Sequence, residues 1–237
     1  MAESDQWLTL ATALADMARD LLAQDSVQAT LDRIVFHAVE LVEGCEAAGI
    51  LTVRRGQVRT LASTDHVVRA SDRLQQQLSE GPCFDAERDK KQVYRIEDMT
   101  GRVDRWPRYA PQARELGIGS MMGFLLYTRE DNDLGALDLY SSQPGAFTSR
   151  FEHVGWLLAA HAAVALASAT HEENMNDALH TRQVIGEATG IVMARYGLTE
   201  TDAFARLAQH SQNRNIKIRD LAETIIYLGD FPVLKSN

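Results

Sequence analysis

Residues 178–226, ALHTRQVIGEATGIVMARYGLTETDAFARLAQHSQNRNIKIRDLAETII plus the two flanking turns they imply, decide how this chain is read. The pattern is helical with informative breaks. Gly197 closes one helix as a C-terminal cap, Thr199-x-x-Asp202 opens the next in capping-box style, and Ile216 to Leu228 supplies a last one. Gly186 and Gly190 lie four apart, and so on one face, inside the first of these helices. Each costs about 1 kcal/mol relative to alanine in a helix interior, so the pair needs a reason. Ala188 and Thr189 keep the neighbourhood small. Close helix–helix packing is the ordinary reason; the other is a flat face that a second backbone, including that of a nucleic acid, can approach closely. Arg182, one turn before Gly186, adds a cation at its edge. Downstream, Ser211 to Arg219 (SQNRNIKIR) puts polar groups, among them Ser211 and Asn215, and three cations into nine residues. Lys217 and Arg219 stand at the start of the last helix, where positive charge opposes the helix dipole. A solvated loop is the plain account of that run, and an anionic partner explains the charge placement better.

Working outward, no Pro or Gly cluster interrupts the helical pattern between Trp156 and Tyr196, and Ser149-x-x-Glu152 reads as the capping box that opens it. Two readings stand: one spine or coiled coil of unusual length, or two helices joined near His171-Glu172-Glu173-Asn174. Ala163, Ala167, His171 and Asn174 would make a poor zipper seam. Charge changes in the same region. Residues 1–174 carry 17 basic and 26 acidic groups and residues 175–237 carry 7 of each, so the whole net charge of −9 lies upstream. This places the domains at 1–170 and 171–237.

The upstream part alternates helices with hairpins. Trp7 to Leu22 has a helical apolar period, and Asp25-Ser26 caps a second helix through Val42. Ala47 to Val53, a turn at Arg54-Arg55-Gly56-Gln57, and Val58 to Ala62 form a hairpin. A helix from Val67 to Leu78 ends at Gly81-Pro82, Gln92 to Ile96 is a short strand, and Trp106 to Leu116 is helical. Met121 to Tyr127 and Leu134 to Tyr140 flank a turn at Glu130-Asp131-Asn132-Asp133. Hairpins beside helices, without repeated strand–helix–strand units, favour an antiparallel sheet flanked by helices, an α+β class.

Several functions are disfavoured. The acidic balance argues against coating nucleic acid or anionic membrane by bulk charge. Cys45 and Cys83 form neither a disulfide framework nor a cysteine-based metal site and suit a reducing cytoplasm. No uninterrupted apolar run reaches the roughly 18–20 residues of a membrane helix. Gly117-Ile-Gly119-Ser-Met-Met-Gly123 fits neither a dinucleotide fingerprint nor a nucleophile elbow. No metal spacing or catalytic constellation stands out, so neither an enzyme nor a cofactor is expected.

The tail resembles the ANTAR domain, the RNA-binding antitermination module of bacterial regulators. The features that carry this are Arg182, Ala188-x-Gly190-Ile-Val-Met193, Ala203-Phe204, Ser211-x-x-x-Asn215-x-Lys217 and Arg219-Asp220-x-Ala222. Thr189 stands where many members carry lysine. Residues 7–170 resemble a GAF domain by order of elements and by Gln77-Leu-Ser-Glu-Gly-Pro-Cys83-Phe-Asp-Ala86. The resemblance implies a GAF-like sheet, a long connecting helix and a three-helix ANTAR bundle. It also implies a cytoplasmic homodimer that binds paired RNA hairpins with six-nucleotide loops in nascent transcripts, so that a terminator cannot form. Arg182, Gly186, Ala188, Thr189, Gly190, Ser211, Asn215, Lys217 and Arg219 would contact RNA, whose unpaired loop bases are the readable part. In the first domain Cys83, Phe84, Trp106, Tyr109, Phe124 and Tyr140 would wall a pocket for an unidentified small ligand. Two alternatives remain: a DNA-binding regulator using Ile216 to Leu228 as recognition helix, and a ligand-sensing adaptor whose tail binds protein only.

Overall fold

Capping side chains, Ser26, Asp65 and Thr199, mark where three of the described helices begin. In the computed structural model, which describes residues 2–54, 56–89, 93–102, 104–127 and 133–232, the chain divides into two units, Met1–His171 and Glu172–Asn237. The first opens with α1 (Ala2–Leu22) and α2 (Val27–Leu41), whose N-cap Ser26 accepts from the Ala29 N–H. Strands β1 (Ala47–Arg54) and β2 (Gln57–Ser63) lead to α3 (His66–Leu78), capped by Asp65. Next come α4 (Pro82–Asp89), β3 (Val93–Ile96), a 3-10 turn at Thr100–Arg102, α5 (Tyr109–Glu115), β4 (Ser120–Tyr127) and β5 (Asp133–Ser141). Helix α6 (Ser149–Tyr196) is continuous for 48 residues. α7 (Glu200–Arg214) and α8 (Ile218–Leu228) complete the second unit.

The sheet has the order β2-β1-β5-β4-β3 with every pair antiparallel. Period-two alternation sends Ala48, Ile50, Met122, Phe124, Leu137 and Leu139 to one face. There they meet Met17 and Leu21 of α1, Ile34 and Ala38 of α2, and Leu158, Ala162 and Leu166 of α6. Ala47, Met121 and Tyr140 point to the opposite face, where α3 and α5 supply Val68, Tyr109, Ala110 and Ala113. In the second unit Val184, Ala188 and Val192 of α6 pack with Ala203 and Leu207 of α7 and with Leu221, Ala222 and Ile225 of α8.

The α+β architecture of sheet, long helix and helical tail stands as expected, with local corrections. α3 ends before Gly81-Pro82, at a left-handed Ser79 (φ 51°), and Pro82 instead starts α4, because proline suits the first turn of a helix, where its missing N–H leaves no bond unmade. Helix α5 begins at Tyr109 rather than Trp106, since Pro107 disfavours the helical conformation before it. Ser149 is the first helical residue rather than the cap; the Thr148 carbonyl accepts from the Phe151 and Glu152 N–H groups. The last helix starts at Ile218, two residues later than its apolar pattern. Arg55, Gln92 and the turn residues Glu130, Asp131 and Asn132 lie outside the described residues. Segment 151–196 does contain a window apolar and long enough to cross a membrane by length and composition, with mean hydropathy 1.3. Its apolar stripe, from Leu158 to Leu166, packs into the first unit's core.

Candidate functional site

The glycine pair is not a packing device. Gly186 and Gly190 are exposed, and a Cβ added at either meets nothing within 4 Å. The phase of α6 explains this: Val184, Ala188 and Val192, spaced by four, take the inward face and leave the glycines outward. Arg182 is exposed on the same helix, with no hydrogen bond or ion pair among the described residues.

Three expected contact residues serve the fold instead. Ala188 is fully buried in the bundle core. The Thr189 hydroxyl is buried and donates to the Ile185 carbonyl at 2.7 Å, as helix-interior threonines do when water is excluded. Ser211 is buried and donates to the Ile216 carbonyl at 2.6 Å, closing the α7–α8 connection. That connection presents the remaining set. Asn215 ends α7 in the left-handed conformation (φ 50°), which asparagine tolerates better than most residues. Its amide and the Lys217 ammonium are exposed and unpartnered among the described residues. Lys217 is the N-cap of α8 without a side-chain bond to it, and Arg219 Nε lies 3.2 Å from Glu223 Oε1 on the exposed side. Among the described residues no hydrogen bond or ion pair joins the Arg182–Gly190 strip to the Asn215–Arg219 group.

The second unit's other arginines are occupied by the segment after α8, a feature with no sequence signal. Arg195 Nε donates to Asp230 at 2.6 Å, and the Tyr196 hydroxyl donates to the same carboxylate. The bond from Tyr196, reinforced by Arg195, holds the Asp230 carboxyl below its usual range. Arg206 stacks over Tyr196 at 4.1 Å and over Phe231 at 5.5 Å, and Arg214 donates to the Pro232 carbonyl at 2.7 Å. Among the described residues, Arg182 and Lys217 are thus the second unit's cations with no hydrogen bond, ion pair or ring contact, and Arg219 pairs only with Glu223, one turn on along its own helix. Sequence reasoning also missed Tyr227, 88% exposed and eight residues after Arg219, roughly 12 Å along α8. Only its exposure separates it from an ordinary helix-core aromatic.

The first unit concentrates polar groups beneath α3, α4 and α5. Cys83, Trp106, Tyr109 and Tyr140 are all buried on this side and Phe84 is half-buried. Phe124 is not with them: strand alternation puts it on the opposite face, where its ring fills the space beside Gly155. Residues not anticipated complete the cluster. Asp138, in the middle of β5, accepts from the Tyr94 hydroxyl at 2.8 Å and the Cys83 thiol at 3.4 Å. Asp72 accepts from Thr60 at 2.5 Å, Gln75 Oε1 accepts from the Cys83 N–H at 2.9 Å, and Tyr109 and Ser71 share a bond of 2.9 Å. Burial pushes Asp72 up to about 7, with the Asp138 charge adding to it against the Thr60 bond. Burial likewise pushes Asp138 up to about 6 against the bonds from Tyr94 and Cys83, and drives the Cys83 thiol well above its usual value. A polar residue inside an otherwise apolar strand was the available signal for Asp138. Among the described residues no three His, Cys, Asp or Glu side chains are placed to hold a metal ion.

No curated protein matches the chain in sequence. Solved structures share the fold. A GAF domain from an Acinetobacter phosphoenolpyruvate-protein phosphotransferase aligns over 70% of this chain and 98% of its own, at 18% identity and a TM-score of 0.52. The GAF domain of the Coxiella burnetii phosphoenolpyruvate-protein phosphotransferase aligns over the same shares at 16% identity and 0.54. The photosensory core module of the Stigmatella aurantiaca phytochrome aligns over 84% of this chain and 44% of its own, at 14% identity and 0.58. The GAF domain family matches residues 24–167, and the ANTAR domain matches residues 173–226. The chain therefore belongs to the GAF domain family and joins that domain to an ANTAR domain.

Proposed function

We propose that this protein is a transcription antiterminator that binds paired RNA hairpins with six-nucleotide loops through its ANTAR domain, under control of its GAF domain. The observation that carries this is the exposed set of Arg182, Asn215 and Lys217, with Arg219 half-buried against Glu223, together with a helix face kept flat by Gly186 and Gly190. Cations anchor phosphates, the amide reads a base edge, and the exposed Tyr227 ring offers a stacking surface. The duplex-DNA alternative is disfavoured because Asp220 and Glu223 accompany the two cations on α8. A homodimer would present two such patches. Exposed Trp7, Trp156, Leu157 and Val164 on α1 and α6, with a groove of about 420 Å3 beside Trp7 and Trp156, support one. The reading places the protein in the cytoplasm and assigns it no catalytic step.

Gel-shift titration of the full chain tests this, with a double-hairpin RNA set against duplex DNA of equal charge. Preference for RNA is expected, and Arg219→Ala should weaken binding and flatten its salt dependence by about one phosphate equivalent. Equal affinity for the duplex would favour the DNA reading, and no binding to either would favour the adaptor.

A further inference from the structure

The sheet face beneath α3, α4 and α5 carries polar chemistry that the protein itself leaves unfinished. Among the described residues Asp72 Oδ1, Gln75 Nε2 and Tyr140 Oη are buried without a hydrogen-bond partner, and each side chain belongs to a residue more than nine-tenths buried. A buried polar atom left unpaired costs about 1–3 kcal/mol, so three in one region demand an explanation. Two carboxylates, Asp72 and Asp138, share the region, and among the described residues neither is bonded to a lysine, arginine or histidine. Arg69 and Arg73 act on Asp72 only at a distance, from its own helix. The groups facing the pair from β2, α4, β3 and α5 are neutral: Thr60, Cys83, Tyr94 and Tyr109.

A cavity of about 50 Å3 adjoins this chamber, walled in part by Pro82, Tyr94 and Trp106. These three wall residues back onto chamber residues. Pro82 is bonded to Cys83, the Tyr94 hydroxyl donates to Asp138, and the Trp106 ring meets Tyr109 edge to face at 6.1 Å. Two of the three arginines lining the cavity are balanced by acids, Arg105 by Asp85 at 2.7 Å and Arg95 by Glu97 and Glu152 at 3.0 and 3.3 Å; Arg102 is the third.

We propose that this chamber is a binding site for a small ligand whose head group is a nitrogen cation, an alkylammonium or a guanidinium, received between Asp72 and Asp138. Its N–H groups satisfy Asp72 Oδ1 and Tyr140 Oη, and an acceptor on the same ligand takes the Gln75 amide. An anionic head group would face two carboxylates at close quarters. The inference rests on reading the first domain as a sensor and names the chemical class it senses. A bound cation favours the ionised carboxylates, so binding releases protons and tightens as the pH rises through about 6 and 7.

Methylammonium and methylguanidinium chlorides are the probes, each titrated into the full chain without RNA and compared with sodium chloride at equal ionic strength. Expected are saturable heats whose size varies with the ionisation enthalpy of the buffer, and a raised first unfolding transition. Asp72→Asn should abolish both. Tyr140→Phe, which removes only the orphan hydroxyl, should weaken binding about tenfold, and it serves as the test if Asp72→Asn fails to fold. Absence of saturable binding by either cation, or equal binding by Tyr140→Phe and the unaltered chain, overturns the proposal. Because no RNA is present, this result stands or falls separately from the gel shift.

Discussion

At the residue scale, the outward glycines separate stability from recognition. Gly190→Ala removes backbone freedom from the unfolded chain and meets open space in the folded one, so it should stabilise the second unit by roughly 0.5–1 kcal/mol. The same methyl group stands on the proposed RNA face and should weaken RNA binding. Thermal unfolding and gel shift of one variant check both, and a gain in stability without loss of affinity removes the glycine strip from the interface. Asn215→Ala is expected to cost about 1–2 kcal/mol, because alanine resists the left-handed backbone that asparagine accepts. Much of the candidate site was legible as a motif, yet a motif does not state which way a side chain faces. Ala188, Thr189 and Ser211 belong to the recurring pattern because they build the bundle. The correction was available from Val184, Ala188 and Val192, whose spacing fixes the inward phase. Nothing comparable announced that Arg195, Arg206 and Arg214 would be taken up by residues 230–232.

At the element scale, local chemistry read well at several helix ends, though not at Ser149, which lies inside its helix. Ser26, Thr199 and Gly197 stand where their chemistry places them, and Thr199→Ala should cost about 1 kcal/mol through loss of the bond to the Asp202 N–H. Elements without such punctuation were harder. α4 hid behind a proline that reads as a stop and serves as a start, and 171–174 offered no feature to decide between one helix and two. The structure shows one, and every residue from 171 to 180 within it is exposed. Helical hydrogen bonds without packed neighbours open readily. Hydrogen exchange should accordingly be faster at amides 171–180 than at 158–166 or 188–192, and uniform protection along α6 would mean that a partner covers the middle.

At the scale of the whole molecule, the two units should answer differently to pH. Asp72 and Asp138 titrate higher in the folded chain than their ordinary 3.8. Between about pH 4 and 7 the folded first unit therefore holds protons that the unfolded chain has released, and its stability falls as the pH rises. Glu80 works in the opposite sense: burial opposes its ionisation, but the N–H groups of Tyr109 and Arg108 and the Arg108 guanidinium hold it below its usual range. Its contribution is lost at the acid end. Calorimetry should show the first unit's transition moving down from mildly acid to neutral pH, a trend flattened in Asp138→Asn, while the second unit's apolar core stays nearly constant. An antiparallel sheet flanked by helices followed from alternation and hairpins; the strand order and the polar chamber did not, the chamber because its members come from six elements spread over some eighty residues of chain.

The binding of residues 230–232 to three guanidinium groups has a practical corollary. Trimming the protein after Leu228 would discard one carboxylate, one aromatic ring and one carbonyl anchor at a stroke, setting free Arg195 and Arg214 and leaving Arg206 stacked on Tyr196 alone. Such a shortened protein should cling to polyanions of every kind, heparin included. Residues 230–232 would thus act as a filter against indiscriminate adhesion.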